Sequence, residues 1–275
     1  LDYLGIERSL VWRVAARDLS PPLGNRRLLE EVEASGLERR LIPGFVITPA
    51  CFFEYGVLDF LREQLASGTV QALRITPEVS RFSVREIERL LRELAPFEPA
   101  LFWDCGNFGT EANLRDFESL AHTFAQMHFI VTQKMWLGFS GVLDLLWRAP
   151  NTYIDTSWLH MRDTIELLSA EFGPERVLFG IGGKSHYGAA IAALAHADID
   201  ASQRSLIAHG NAERILKLTP YDGPELPVSA SDDQKPLWCR LRAGLALENV
   251  EVIDAHGHTP PHTRGWIIRE NTLEG

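Results

Sequence analysis

Two histidines near the carboxyl end of the sequence have a spacing that suits metal binding. His256 and His258 follow the apolar run 250–255, and a β-strand places residues i and i+2 on the same face. Two imidazoles on one face can bind a single Zn²⁺ or similar ion. The same pattern also fits a polar strand end whose histidines face solvent, because two-residue metal motifs are loose. Both interpretations stay open on these residues alone.

Further candidate residues follow the predicted strands. The run Gly182-Gly183-Lys184-Ser185 lacks the full spacing of a phosphate-binding loop, so a solvated turn is favoured over an anion site at the next helix start. His160 and His186 also follow strands, where α/β barrels place catalytic groups, although a role outside the site is favoured for both. We expect His122 and His128 to be surface or packing residues.

Short apolar, β-rich runs alternate with helical patterns along most of the chain, which favours βα units and a parallel sheet. The predicted strands are 9–15, 41–48, 70–76, 100–105, 128–133, 152–157 and 176–180. The predicted helices are 26–35, 55–66, 83–94, 113–125, 140–147, 162–172 and 186–196. Ser83 and Glu86 have capping-box spacing, and Asn113 is predicted to cap the helix that follows it.

The regular pattern stops after Leu218. Residues 219–249 begin with a Pro- and Gly-containing segment and continue into a polar run, which is typical of a linker. An eighth predicted strand, 250–255, then leads into the two histidines. Eight parallel strands is the number in a closed α/β barrel of roughly 250 residues, but here the eighth is separated from the other seven.

Composition limits the classes of partner. The chain has 275 residues, a net charge of −10 and three cysteines, Cys51, Cys105 and Cys239. An acidic surface argues against nucleic-acid and anionic-membrane partners, and no apolar run is long enough to span a bilayer. The few cysteines and the absence of a signal-peptide pattern predict a cytoplasmic protein. Because residue 1 is Leu, we expect a processed product or part of a longer chain.

Several segments in order resemble the amidohydrolase-related family, which contains metal-dependent hydrolases and decarboxylases of the aminocarboxymuconate-semialdehyde type. They are Gly24-Asn25 with IPGF at 42–45, NTYIDTS at 151–157, FGPERVLFG at 172–180 and NAERILKL at 211–218. Together with the HxH strand, the resemblance covers roughly residues 1–218 and 250–275. It implies a TIM-like (β/α)8 barrel with its site at the carboxyl ends of the strands.

The sequence departs from the family's ligand pattern after the HxH motif. The resemblance implies an aspartate in a Phe-Gly-Ser-Asp segment, but Gly182 stands at that position. It implies a histidine where Asp104 ends a strand, and His-x-Gly where Gln133 and Lys134 occur. A carboxylate can still bind a metal ion, whereas a lysine nearby makes the site poorer.

The resemblance therefore implies a divalent metal, with zinc expected, held by His256 and His258 and with Asp104 as a weaker third ligand. Such a site would hydrolyse C–N or C–O bonds or decarboxylate a small organic substrate. The missing ligands leave open a second function, in which a non-catalytic barrel serves as a binding or oligomerisation module.

The displaced strand allows two architectures. Residues 1–218 would form strands two to eight of the barrel, 219–249 a linker, and 250–275 the strand equivalent to the first. Either the chain is circularly permuted, or it is a window of a tandem or truncated protein, and the tandem or truncated arrangement is favoured. In both, we expect a small-molecule substrate and a homo-oligomer or tandem-barrel partner.

Overall fold

Seven parallel strands form the centre of the protein. The computed structural model describes residues 5–106, 110–135, 138–159, 161, 163–182, 187–221 and 223. The strands are β1 (Ser9–Val11), β2 (Leu41–Val46), β3 (Ala72–Ile75), β4 (Ala100–Asp104), β5 (Phe129–Thr132), β6 (Thr152–Asp155) and β7 (Val177–Leu178). Each strand pairs in parallel with the next one along the chain. This confirms the predicted α/β class and TIM-like barrel, and each strand lies within the range predicted for it.

Helices follow the strands and cover the outside of this curved sheet. They are α1 (Val14–Asp18), α2 (Pro21–Ser35), α3 (Val57–Ala66), α4 (Pro77–Ser80), α5 (Glu88–Leu94), α6 (Glu111–Thr123), α7 (Phe139–Arg148), α8 (Thr164–Phe172), α9 (Tyr187–His196), α10 (Ala201–Ser205) and α11 (Asn211–Ile215). A π-helical turn, Leu206–Gly210, joins the last two. Within the described residues, no helix combines the length and apolar character that crossing a bilayer requires.

Alternation along each strand separates two apolar cores. In β4, Leu101 and Trp103 are fully buried in the outer core between sheet and helices. Phe102 points the other way, into the barrel interior, where it meets Trp12 edge-on at 5.6 Å between ring centroids. Because both faces of such a strand are apolar, its sequence is a continuous hydrophobic run, which is why the strands were predictable.

The Gly24-Asn25 pair fixes α2 against the sheet. A side chain on Gly24 would collide with the backbone of Ala16, since an added Cβ would lie 2.3 Å from the Ala16 nitrogen. The buried Asn25 side chain donates to the Val46 carbonyl at 2.8 Å and accepts from the Val46 N–H at 3.0 Å. This motif therefore holds the end of β2 by close packing and a two-way hydrogen bond.

Ser83 lies at the N-cap position of a helical turn, Val84–Ile87, as predicted, but neither Ser83 nor Asn113 caps a helix with its side chain. Helix α6 begins two residues before Asn113, because Thr110 caps it by accepting the Asn113 backbone N–H at 3.1 Å. The Asn113 side chain instead donates to Glu78 at 3.0 Å. Ser83 makes no capping bond, since its hydroxyl donates to Asp116 at 2.9 Å. Both side chains hydrogen-bond to residues distant in sequence, and therefore they do not cap the nearby helix ends.

The amino-terminal end of the barrel is closed by the chain that follows α10. Ile215 and Leu216, 1% and 2% exposed, enter the interior core beside Tyr153. Arg8 forms an ion pair with Glu213 and donates to the Thr219 carbonyl at 2.7 Å, which joins this segment to the start of β1. We call this end the floor of the barrel and the opposite end its mouth.

The sheet of described strands is an open arc. No described strand pairs with the outer edge of β1 or of β7. On the β7 side, the Phe179 N–H donates to the Ile207 carbonyl of the π-helical turn at 2.9 Å. The predicted eighth strand 250–255, most of the linker 219–249 and the whole segment 250–275 lie outside the described residues.

Candidate functional site at the barrel mouth

Polar side chains collect at the carboxyl ends of the middle strands. Arg74 lies in β3, Asp104 ends β4, Thr132 ends β5 and Asp155 ends β6. The register brings them together, because Asp104 is the pairing partner of Thr132 and β5 and β6 are adjacent. In α/β barrels this end carries the active site.

Arg74 and Asp104 form an ion pair in this layer. Their side chains are only 14% and 10% exposed. The Arg74 guanidinium also lies over the Trp12 ring, 5.3 Å from its centroid, while its buried Nε has no hydrogen-bond partner among the described residues. Asp104, the predicted third metal ligand, is thus already neutralised by a cation from the neighbouring strand.

Asp155 is the most enclosed carboxyl group of the mouth. The Thr132 hydroxyl donates to one of its oxygens at 2.6 Å, and the Ser157 hydroxyl and N–H donate to the other at 2.5 and 3.2 Å. Burial raises the pKa of Asp155 to about 6, although these donors favour the ionised form. Gly180 makes room for the group, since an added Cβ would lie 2.9 Å from an Asp155 oxygen. The carboxyl can therefore gain or lose a proton close to neutral pH.

Lys134 lies just beyond the end of β5 and is almost completely buried. It is 2% exposed, and its ammonium donates to the Gly106 carbonyl at 3.1 Å. Between it and Thr132, Gln133 adopts a left-handed backbone with a φ of 57°, and its N–H donates to the Ser157 hydroxyl at 3.1 Å. The turn therefore holds a buried cation where the resemblance implies the histidine motif.

The position at which the resemblance implies an aspartate is sterically closed. Gly182 has a φ of 64°, which favours glycine. An added Cβ there would lie 2.7 Å from the Trp158 indole nitrogen. Any larger residue at 182 would have to displace that indole, so the departure from the family pattern is built into the neighbouring structure.

The described residues do not by themselves fit a divalent metal ion. They contain no group of three or more histidine, cysteine, aspartate or glutamate side chains that could hold one. Asp104 already forms an ion pair with Arg74, and the ammonium of Lys134 adds positive charge to the same end of the barrel. His256 and His258 lie outside the described part of the chain, as do His160 and the run 183–186.

The remaining predicted residues take structural roles. His122 is exposed on α6, 3.8 Å from Glu118. His128 packs edge-on against Tyr153 at 5.2 Å, which places it toward the floor, and burial lowers its pKa. Trp103 faces the outer core, where its indole donates to Glu78 at 3.3 Å.

Arg74 and Asp155 belong to the site but were not among the residues predicted for it. Both lie in apolar runs, ALRI and TYID, where a single charged residue is the signal that a strand has reached the polar end of a barrel. A pocket between α6 and α7, lined by Arg115, His122 and Asp144 among others, lies on the outer surface and not at the mouth.

Comparison with known proteins agrees with this architecture. The sequence pattern of the amidohydrolase family matches residues 16–218, so the chain belongs to the amidohydrolase family. A comparison with curated protein sequences finds no match.

Solved structures share the fold at low sequence identity. The 5-carboxyvanillate decarboxylase from Sphingomonas paucimobilis is 15% identical with a TM-score of 0.60, over 79% of this chain and 81% of that one. A dihydroxybenzoic acid decarboxylase from Polaromonas, solved with manganese and the inhibitor 2-nitroresorcinol, is 13% identical with a TM-score of 0.58, over 82% and 81%. An uncharacterised TIM-barrel protein from Bordetella bronchiseptica is 17% identical with a TM-score of 0.56, over 70% and 72%.

Proposed function

We propose that this chain is an enzyme of the amidohydrolase family that acts on a small organic acid at the barrel mouth, with decarboxylation as its reaction. The observation on which the proposal rests is the polar layer of Arg74, Asp104, Lys134 and Asp155 at the carboxyl ends of the strands. Two decarboxylases with the same fold support the choice of reaction. Hydrolysis of a C–N or C–O bond is the alternative reaction at the same site.

Within this proposal, the described residues bind and position the substrate and handle protons. The Lys134 ammonium, which no described carboxylate neutralises, attracts a carboxylate into an otherwise acidic protein of net charge −10. Asp155, with its pKa raised to about 6, supplies a group that can exchange a proton near neutral pH. Both Asp155 and Lys134 are buried, so the surrounding protein shields these two groups from bulk water.

The proposed metal depends on residues outside the described part of the chain. His256 and His258 would hold a divalent ion, with Asp104 as the third ligand once it is released from Arg74. The manganese in the Polaromonas enzyme supports a divalent ion, and zinc remains the expectation from ligand chemistry. In the same proposal, residues 250–275 supply the strand equivalent to barrel strand one and 219–249 the linker, in a cytoplasmic homo-oligomer or tandem barrel.

Elemental analysis and a decarboxylation assay test the proposal together. The purified full chain is expected to contain about one divalent ion per chain and to release CO₂ from 5-carboxyvanillate or a dihydroxybenzoate. His256→Ala should lose both properties, whereas His122→Ala, at an exposed position, should keep both. Protein without metal after supplementation with zinc and manganese, and without CO₂ release, contradicts the proposal.

A second candidate function is a non-catalytic barrel that binds a ligand or another protein. Two observations favour it. Arg74 neutralises Asp104, and the Trp158 indole occupies the space that a side chain at residue 182 would need. This candidate predicts the metal-free, inactive result of the same experiment.

A further inference from the structure

Lys134 is a buried cation without a described counterion. Its side chain is among the most completely buried of those described, and within the described residues its ammonium donates only to the Gly106 carbonyl, at 3.1 Å. None of the described carboxylates forms an ion pair with it. An ammonium has three donors and is rarely buried unless an anion accompanies it, because removing the charge from water is costly.

The start of α7 adds a second positive group at the same point. Helix α7 is ten residues long and begins after Gly138, whose φ is 72° and which offers no side-chain cap. An added Cβ on Gly138 would lie only 3.3 Å from the Lys134 ammonium. The first N–H groups of a helix lack intrahelical partners and carry partial positive charge. The ammonium and the helix start therefore repel one another unless an anion lies between them.

The described residues also leave space beside the ammonium. Gly106, whose carbonyl accepts from Lys134, has a φ of 51°, and an added Cβ there would meet no atom of the described residues within 4 Å. Gly138 likewise contributes no side chain. Two glycines thus border the cation, Gly106 after β4 and Gly138 before α7.

We propose that Lys134 and the N–H groups at the start of α7 bind the carboxylate of a small organic acid, in the space beside Gly106. We call this the Lys134 anion site. One ammonium and one helix start match a singly charged carboxylate better than a phosphate dianion, which proteins usually bind with more positive charge. That the bound acid is a substrate rests on the proposed function, whereas anion binding itself does not.

Benzoate is the probe for this site. The full chain, freed of metal with a chelator, is titrated with benzoate at constant ionic strength, and the melting temperature and the backbone amide resonances are followed. We expect the melting temperature to rise and the amide signals of Gly106, Gly138 and Ser140 to shift most. Shifts confined to other regions, or no shift at all, overturn the proposal in the wild-type protein without reliance on any variant.

Lys134→Met supplies the second measurement. It should raise the melting temperature of the benzoate-free protein, because a buried charge without a counterion is removed. It should also weaken benzoate binding by roughly tenfold or more, since hydrogen bonds to charged groups are lost. Lys217→Met is the matched control, because Lys217 pairs with Glu98 near the floor, and it should bind benzoate as the wild type does.

The outcomes separate this site from the proposed function. Equal benzoate binding by wild type and Lys134→Met overturns the site, and so does stronger stabilisation by inorganic phosphate than by benzoate. Because the titration uses metal-free protein, benzoate binding without metal uptake or CO₂ release leaves the site supported while the proposed reaction fails. Metal uptake and CO₂ release without benzoate binding at Lys134 give the reverse result.

Discussion

The floor and the mouth of the barrel differ in how closely they keep to the family pattern. At the floor, the segments that resemble the family make structural contacts. Asn211 donates to the carbonyls of Pro174 and Val177, both at 2.8 Å, and Arg176 donates to carbonyls around the start of β6. At the mouth, the expected metal ligands are replaced by Lys134 and by an aspartate bound to arginine.

This difference shows that part of the sequence by which the chain is recognised lies far from the groups that would do its chemistry, although the motif NTYIDTS itself reaches the mouth with Asp155. A floor motif such as NAERILKL reports how the barrel closes, and it says little about what the barrel binds. In α/β barrels the amino-terminal end serves stability and the carboxyl-terminal end serves function.

Removing apolar volume at the floor should have the largest effect on stability. Leu216 is 2% exposed within the interior core, so Leu216→Ala should lower the free energy of unfolding by about 3 kcal/mol. Urea denaturation followed by circular dichroism measures the loss. Leu206→Ala, at a position 38% exposed, is the control and should cost less than about 1 kcal/mol. Similar losses of unfolding free energy in both variants would mean that the side chains at the floor are not closely packed.

At the mouth, Asp155 should make stability depend on pH. Its pKa in the folded protein is raised from 3.8 to about 6, so the folded state favours the protonated form. The unfolded chain ionises first as the pH rises, and stability therefore falls between pH 4 and pH 6 and stays low above that range. The shift corresponds to at most about 3 kcal/mol.

Asp155→Asn should remove this dependence. Denaturation midpoints measured from pH 4 to pH 7 should show a flatter profile than in the wild type, whereas the exposed variant Asp144→Asn should keep the wild-type profile. An unchanged slope in Asp155→Asn would assign the pH dependence to another group.

The mouth ion pair should show strong coupling between its two partners. Arg74→Met leaves the Asp104 carboxylate nearly buried without its cation and should cost about 2 kcal/mol, somewhat less than for a fully buried pair. The double variant Arg74→Met/Asp104→Asn should recover a large part of this loss. A double variant as unstable as the sum of the single variants would mean that the pair contributes no mutual stabilisation.

The smallest effect is expected from His128 near the floor, and its sign is opposite to that of Asp155. Burial, followed by the charges of Arg214 and Lys217, lowers the pKa of His128 below 6.5. The unfolded chain therefore binds the proton first as the pH falls below 6.5, and stability decreases in that direction. His128→Phe keeps an edge-on contact with Tyr153 and should reduce this acid sensitivity, while the exposed variant His122→Gln should not.

Local patterns were enough to predict the sheet but not the site. A run such as ALFWD is apolar on both faces, so it can be recognised as a buried strand from its own residues alone. The Arg74–Asp104 pair could not be predicted in this way, because it depends on the register between two strands 30 residues apart. Lys134 was noticed only as a poor neighbour for a metal, since sequence does not show that a lysine after a strand is buried.

The contact of Arg8 with Glu213 and Thr219 has a consequence for the way the chain folds. Each strand pairs with its predecessor, so the βα units can dock one after another during synthesis, in keeping with their short sequence separation. Arg8, in contrast, can make its contacts only after Glu213 and Thr219 have been synthesised, 205 and 211 residues later. Until the ribosome has released that segment, the apolar interior around Phe102 and Tyr153 remains open at one end, and the nascent chain exposes a surface prone to aggregation.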